Sequence, residues 1–280
     1  MNYSIHELIQ EAGKLPPIPK AAQKALQLIR NPVSSAFDVA GVLGTDQVLS
    51  AQVLRRANSA YYGMENRIVT VQQATVVLGM NIIQELIMSS AISHYLDRPV
   101  SGYELQRGEL WHHALGTAVG AKLISKRKHL KIDEEAYFAG LLCDIGKLIF
   151  GNLLKTIDLN SPEGECQSFL DVERANFGID HARLGAEIAR QWQLPENLVT
   201  AIAYHHEPQF AQEHQLLVAA IHIADVSMMI LGIGIGIDGL RYPMEEDALK
   251  RTGMTWEDLF PLAEDVAEEL MRAKEMAGYS

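Results

Sequence analysis

With 280 residues, 48% of them hydrophobic and 21% charged, the chain can bury a large core, as two packed units or one large helical one. Its net charge of −11 argues against tight binding to a nucleic-acid backbone, which asks for a basic surface. Two cysteines, Cys143 and Cys166, make no disulfide framework and fit a reducing cytoplasm, and Met1 to Glu7 carries no basic or apolar stretch of a secretory signal.

Taken in order, residues 1–14 predict a short amphipathic helix with Ile5, Leu8, Ile9 and Ala12 on one face. The prolines of Leu15-Pro16-Pro17-Ile18-Pro19 stop it, because proline fixes φ and removes a donor. A second helix over 20–30 buries Ala22, Ala25, Leu26 and Ile29 and ends at Asn31-Pro32. Ser35 with Asp38 three residues on reads as a capping box for a third, which stops near Gly44. Thr45 or Asp46 caps a fourth, carrying Leu49, Val53, Leu54 and Ala57, and residues 58–63 form a loop. Thr70 opens Val71–Leu78, Gly79 breaks it, and Asn81–Tyr95 continues. No segment in this first hundred residues alternates with period two, so no strand is expected there.

Asp97-Arg98-Pro99-Val100-Ser101-Gly102 is the expected boundary, with residues 1–102 as an N-terminal helical subdomain and 103–280 as a second. Helices are predicted in the second at 104–127, 133–150, 165–176, 181–193, 195–205, 213–231 and 255–276, with Asp133 and Asp180 as N-caps and Pro195 at a first helical position. Lys122, Lys126, Arg127, Lys128 and Lys131 form a basic run, read as a solvated helix face. Leu216 to Ile237 is apolar enough to suggest a membrane span. Its central Asp225 is expensive in lipid, so a buried helix of a soluble protein is expected instead.

Within the predicted 133–150 helix, Asp144 and Lys147 share one face with Leu141, Ile145 and Leu148. A buried carboxylate costs several kcal/mol unless paired. Either Lys147 or a metal ion could pair it. The second subdomain also holds Glu109 and His113 four apart on one helix, His181 opening another, His205-His206 closing the Pro195 helix, and Asp225 in an apolar helix. Imidazole and carboxylate suit divalent Fe, Mn, Ni or Zn, and helical bundles build metal sites from ligands on separate helices. A lone helical histidine is more often a surface or hydrogen-bonded residue than a ligand, and His6, His94, His112, His129, His214 and His222 are placed in that class.

The chain resembles an HDOD domain (HD-related output domain), a bacterial regulatory module within the HD superfamily of metal-dependent phosphohydrolases. In the first half the resemblance rests on Leu15-Pro16-Pro17-Ile18-Pro19, Asp46-Gln47-Val48-Leu49-Ser50, Leu54-Arg55-Arg56-Ala57-Asn58-Ser59, Val71-Gln72-Gln73-Ala74 and Val77-Leu78-Gly79. In the second it rests on Leu110-Trp111-His112-His113-Ala114, Gly140 to Leu148, Phe177-Gly178-Ile179-Asp180-His181, Trp192-Gln193-Leu194-Pro195-Glu196 and His205-His206-Glu207-Pro208. It spans roughly residues 14–230. It implies an all-α fold, an HD-superfamily helical bundle preceded by an N-terminal helical subdomain, and a role in signal transduction.

Carried over by that resemblance, His113 matches the first His of the family's metal site and Asp144 the Asp of the His-Asp pair. His181, His205 and His206 match the middle histidines and Asp225 the final Asp. Glu109 and Cys143 are weaker ligand candidates, and Lys147 is a candidate phosphate contact. One pocket would be Asp144, His181, His205 and His206; the other would be His113, Cys143, Asp144 and Asp225. One or two divalent transition metal ions per chain are implied. The sequence departs from the family's enzymes at Cys143, where the His of the pair would stand, and in having Glu207-Pro208-Gln209-Phe210 rather than a Gly-Tyr-Pro signature after His206. A non-catalytic regulatory module is therefore expected, binding a signalling protein or a small nucleotide-like ligand, with a phosphohydrolase acting on a nucleotide or cyclic dinucleotide as the alternative. No receiver-like or catalytic segment is expected at either end of the chain.

Overall fold

The computed structural model describes residues 4–16, 18–31, 33–64, 66–156, 168–239 and 241–277. Cys166 lies outside them. The described residues form α-helices and short 3-10 turns with no strand, apart from an isolated bridge between Val100 and Leu105. In chain order the helices are α1 (Ile5–Ala12), α2 (Lys20–Arg30), α3 (Ala36–Leu43), α4 (Gln47–Ala57), α5 (Val71–Leu96), α6 (Glu109–Arg127) and α7 (Asp133–Leu142). They continue as α8 (Lys147–Leu153), α9 (Phe169–Phe177), α10 (His181–Gln191), α11 (Glu196–Tyr204), α12 (Gln215–Ile230), α13 (Glu246–Thr252) and α14 (Trp256–Ala277). The all-α class is the expected one.

Two compact units divide the chain: Met1–Pro16 with Tyr95–Glu269, and Pro17–His94 with Leu270–Ser280. In the second of these, α2 packs on α3 and α3 on α4. Local chemistry sets the boundaries. Ser35 Oγ accepts from Asp38 N while Asp38 accepts from Ser35 N at 2.9 Å, the anticipated capping box. Asp46 accepts from Val48 N and Leu49 N at the start of α4. Asn58 pins the following loop by exchanging two 2.8 Å hydrogen bonds with the backbone of Ile68. Among the described residues α5 alone has the length and apolarity of a membrane span, but Gly79, at φ +77°, breaks it. Ala74, Leu78, Ile83, Ile87, Ile92 and Leu96 along it are buried.

The larger unit takes α1 as well as α6–α13, because α1 packs on α8 and α10 with Leu8 and Ala12 buried. Its centre is α12, apolar on nearly all sides and enclosed by α6, α7, α11 and α13. The basic run at the end of α6 is not free: Arg127 meets Asp265, Lys128 meets Asp258 at 2.9 Å, and Lys122 lies over the Tyr137 ring. The acidic α14 thus pairs Arg127 and Lys128 of that run.

Pro195 stands at the N-cap of α11 rather than at its first helical position, and four further expectations need correction. Helix α6 starts at Glu109 rather than 104, because Glu104 and Gly108 turn left-handed ahead of it. Asp133 is the first helical residue of α7, not its cap, and its carboxylate accepts from Ser125 Oγ instead. Helix α13 falls between the predicted 213–231 and 255–276 helices, where none was expected. The fourth matters most. The predicted 133–150 helix is broken, with α7 ending at Leu142 and α8 starting at Lys147. The intervening turn carries i to i+3 bonds, Ile145 N to Leu142 O and Lys147 N to Asp144 O, both 3.0 Å. Gly146 lets that turn press on the start of α10, where a Cβ would lie 2.0 Å from His181 O. The break aims Asp144 inward.

Candidate metal centre

Five elements of the larger unit deliver the inward-facing polar residues. Helix α6 supplies His113, the α7–α8 turn supplies Asp144, α10 supplies His181 at its first position, the end of α11 supplies His205 and His206, and α12 supplies Asp225. All six are buried. Donor atoms of Asp144, His181, His205 and His206 lie within 4.8 Å of one another, as do those of His113, Asp144 and Asp225. Asp144 belongs to both groups.

The protons can be assigned from the outer partners. His113 Nδ1 is 2.8 Å from Ile233 O and His205 Nδ1 is 2.8 Å from Ile202 O, so each must donate there. His181 Nδ1 faces the Glu173 carboxylate at 2.8 and 3.0 Å and donates to it. Glu173, itself fully buried, also accepts from His181 N at 2.7 Å and from the Tyr103 hydroxyl. In all three rings the Nε2 lone pair is therefore turned inward. His113 Nε2 lies 2.8 Å from Asp225 Oδ1 and 3.5 Å from Asp144 Oδ2. His181 Nε2 and His205 Nε2 lie 3.3 and 3.7 Å from Asp144 Oδ1. Two acceptors face each other at every one of these contacts unless a proton or a cation stands between them.

The centre also concentrates buried charge. Asp144, Glu173, Asp225 and Asp238 are buried carboxylates, and Lys147 is the buried ammonium among them, 3.0 Å from Asp144 and 2.8 Å from Asp238. Burial opposes both charges of the first pair, yet Lys147 and the flanking histidines hold the Asp144 carboxyl well below the usual range, and the carboxylates hold Lys147 above its own. Burial likewise opposes the His181 imidazolium, but Glu173 and Asp144 push its pKa up to about 10. His206 goes the other way: burial, then His205 and His181, push it well below the usual value, so it stays a neutral donor.

Asp144 Oδ1, His205 Nε2, His206 Nδ1 and Asp225 Oδ2 are buried and make no hydrogen bond among the described residues, and Asp144 Oδ2 has the Lys147 ammonium at 3.0 Å. Buried polar atoms are nearly always satisfied. That these nitrogen and oxygen atoms all belong to residues of the donor groups fits a divalent cation. His113, His181 and His205 each carry the outer-shell acceptor that sets a metal-binding tautomer.

The remaining sequence candidates behave differently. The Glu109 carboxylate turns back to accept from Gln106 N at 2.6 Å and takes no part in either donor group. Cys143 Sγ lies near His205 and Asp225 donors, but it donates to Gly140 O at 3.2 Å, and burial together with Asp144 and Asp225 pushes its thiol well above its usual pKa. It sits there as a neutral thiol. Residue patterns missed Glu173, Tyr103, Asp238 and Tyr242. The signal for Glu173 is a carboxylate eight residues ahead of His181, on the buried face of an amphipathic helix with Phe169, Leu170 and Phe177. His222, set aside as a structural histidine, is buried and hydrogen-bonded to His205 O and Glu245 N, and burial lowers its pKa to about 4.

Comparison with known proteins follows the same lines. The family model of the HDOD domain matches residues 15–208. A solved HDOD domain protein of unknown function from Geobacter sulfurreducens is 26% identical, with a TM-score of 0.74 over 96% of this chain and 97% of that one. A solved candidate phosphohydrolase from Shewanella amazonensis SB2B is 28% identical, with a TM-score of 0.71 over 96% of each chain. An uncharacterized protein of Treponema pallidum (strain Nichols) is 26% identical over 230 residues, 79% of this chain and 44% of that protein. This chain thus spans less than half the length of that curated relative.

Proposed function

This chain belongs to the HDOD domain family, and on that premise we propose that it is a non-hydrolytic signal-transduction module built around a buried divalent-metal centre. His113, Asp144, His181, His205, His206 and Asp225 would hold one or two ions of the Fe, Mn, Ni or Zn type. Such an ion supplies charge neutralisation and Lewis acidity where it binds. The module's partner is a signalling protein or a small nucleotide-like ligand, and its working place is the cytoplasm.

The closure of the site carries this reading. Every proposed ligand is buried, and Lys147, the group that would contact a phosphate, is already paired with Asp144 and Asp238. A hydrolase needs a phosphate to reach that ammonium, and two carboxylates compete for it here. Cys143, standing where the family's enzymes carry the His of the pair and donating to Gly140 O, supports the same conclusion.

The phosphohydrolase reading has one observation of its own: Asp144 is shared by both donor groups, as a carboxylate bridging two ions would be. The similarity to the Shewanella amazonensis candidate phosphohydrolase points the same way. The two separate on turnover. Protein loaded with Mn or Fe is presented with mono-, di- and cyclic nucleotides, alongside a Cys143→His variant. The regulatory reading expects bound metal and no phosphate release from either protein. Release from the wild type, proportional to bound metal, would replace it with the hydrolase.

A further inference from the structure

Helix α14 is apolar on two faces. Leu262, Ala263 and Val266 are buried, while Asp258 and Asp265 turn to Lys128 and Arg127 of α6. On the other side Trp256, 56% exposed, and Phe260, 71% exposed, stand one turn apart. At 3.6 residues per turn, Trp256, Phe260 and Ala267 fall within roughly 40° of one another, and the exposed Glu264 and Glu257 within roughly the next 60°. A surface helix needs one apolar stripe to hold it to its own core. This second stripe, with its acidic edge, faces outward.

The smaller unit presents the opposite kind of surface. An open groove of about 500 Å³ runs between α2 and α3, lined by Lys20, Ala21 and Lys24 on one side and by Phe37, Gly41 and Val42 on the other. The Phe37 ring is 68% exposed, although Val39, Ala40 and Leu43 of the same helix are buried. Gly41 stands one turn after Phe37, and a Cβ built on it would meet nothing within 4 Å, so the groove is open there. Lys20 and Lys24, one turn apart on α2, give it a basic rim. Asp38, also at its edge, is engaged by Ser35 in the capping box. The contrast extends beyond the rim. Residues 17–94 hold six Lys and Arg against four Asp and Glu in a chain of net charge −11, whereas α14 holds seven Asp and Glu against two Lys and Arg.

A single exposed aromatic on a surface needs no partner, but two aligned on one stripe make a patch of the kind that marks an interface. The acidic edge beside them would be repelled by an anionic lipid surface or a nucleic acid and attracted to a basic rim. We propose that this chain self-associates, with the outer stripe of α14 from one copy seated in the α2–α3 groove of another. Trp256 and Phe260 anchor the contact against Phe37 and the open floor at Gly41, and Glu257 and Glu264 face Lys20 and Lys24. Each copy carries both halves, so the contact joins unlike surfaces. No residue of the buried centre takes part.

Sedimentation equilibrium of the full chain over a range of concentrations tests this, with Phe260→Ser to break the stripe and Gly41→Glu to block the groove. Both positions are exposed, so neither change reaches the core, and unfolding midpoints matching the wild type verify it. The wild type should associate, and each variant should weaken that association at least about tenfold. Added salt should weaken the wild type too, because the facing charges lie at the rim, and this arm needs no variant. Mixing the variants gives the sharpest readout. Phe260→Ser keeps an intact groove and Gly41→Glu an intact stripe, so together they should form a one-to-one complex that neither forms by itself. A wild type that stays monomeric throughout overturns the proposal and leaves the groove to an unlike partner. Association unmoved by Gly41→Glu or by salt also overturns it, since α14 would then be meeting a different surface. So does a mixture no more associated than its components.

Discussion

At the scale of single residues, the side chains behind the centre matter as much as those facing it. Glu173 holds His181 by its ring and its backbone at once, and receives Tyr103 as well. Glu173→Gln removes the charge and leaves a single acceptor oxygen, so His181 loses its fixed tautomer. Metal affinity should fall by about ten- to a hundredfold in a competition titration against a chromophoric chelator. An affinity equal to that of the wild type would confine Glu173 to a packing role. Cys143 makes the opposite case. Its thiol donates to Gly140 O and is held protonated by burial beside Asp144 and Asp225. Cys143→Ala should therefore keep the wild-type metal stoichiometry in elemental analysis, and loss of an ion would instead make the sulfur a ligand.

Among the elements, the α7–α8 break decides the most. An uninterrupted helix would keep Asp144 and Lys147 as an ordinary i, i+3 pair, while the tight turn puts the carboxylate among three imidazoles from α10 and α11. The start of α14 offers a cleaner thermodynamic test. Asp258 accepts from Thr255 N at 2.8 Å and pairs with Lys128 at 2.9 Å, joining α14 to α6. The Lys128 bond, then that from Thr255, lowers the Asp258 pKa below its ordinary value. A lowered folded-state pKa contributes stability above the unfolded value near 3.8, and that contribution is lost as pH falls through the folded one. Asp258→Asn should thus cost at most about 1 kcal/mol at pH 7 and nothing once Asp258 is protonated in both states. Chemical denaturation of both proteins at pH 7 and near pH 2 gives the comparison, and a gap that persisted at the acid end would count against the ion pair.

For the molecule as a whole, the larger unit is organised around buried charge as well as an apolar core. Asp144 and Asp238 pair with Lys147, Glu173 holds His181 and Asp225 meets His113, and the proposed cation would add positive charge among these carboxylates. Ions that bind only the folded state stabilise it by mass action, about 2.7 kcal/mol at a concentration one hundred times Kd. Stripping metal with a chelator should lower the calorimetric unfolding midpoint by several degrees, and restoring Mn or Zn should recover it. Identical midpoints with and without metal would remove the centre's structural role.

The residue types and their order were enough to determine the all-α class, the caps at Ser35 and Asp180 and the break at Gly79, and together with the family resemblance they singled out six imidazole and carboxylate ligand candidates. These are legible because helix periodicity, capping and ligand chemistry are local or reside in side-chain identity. Tertiary structure alone decided that α7 stops at Leu142, since Gly146 yields to the backbone of α10, far along the chain. It also decided that Glu173 backs His181, and that Glu109 faces away although it stands four residues from His113. Most of all, it turned Gly232 to Asp238 from the tail of an apolar run into the cover of the centre. Nothing in a glycine-isoleucine alternation announces what it will lie against, because glycine's contribution is the close approach it permits, and only the facing surface determines where that approach is made.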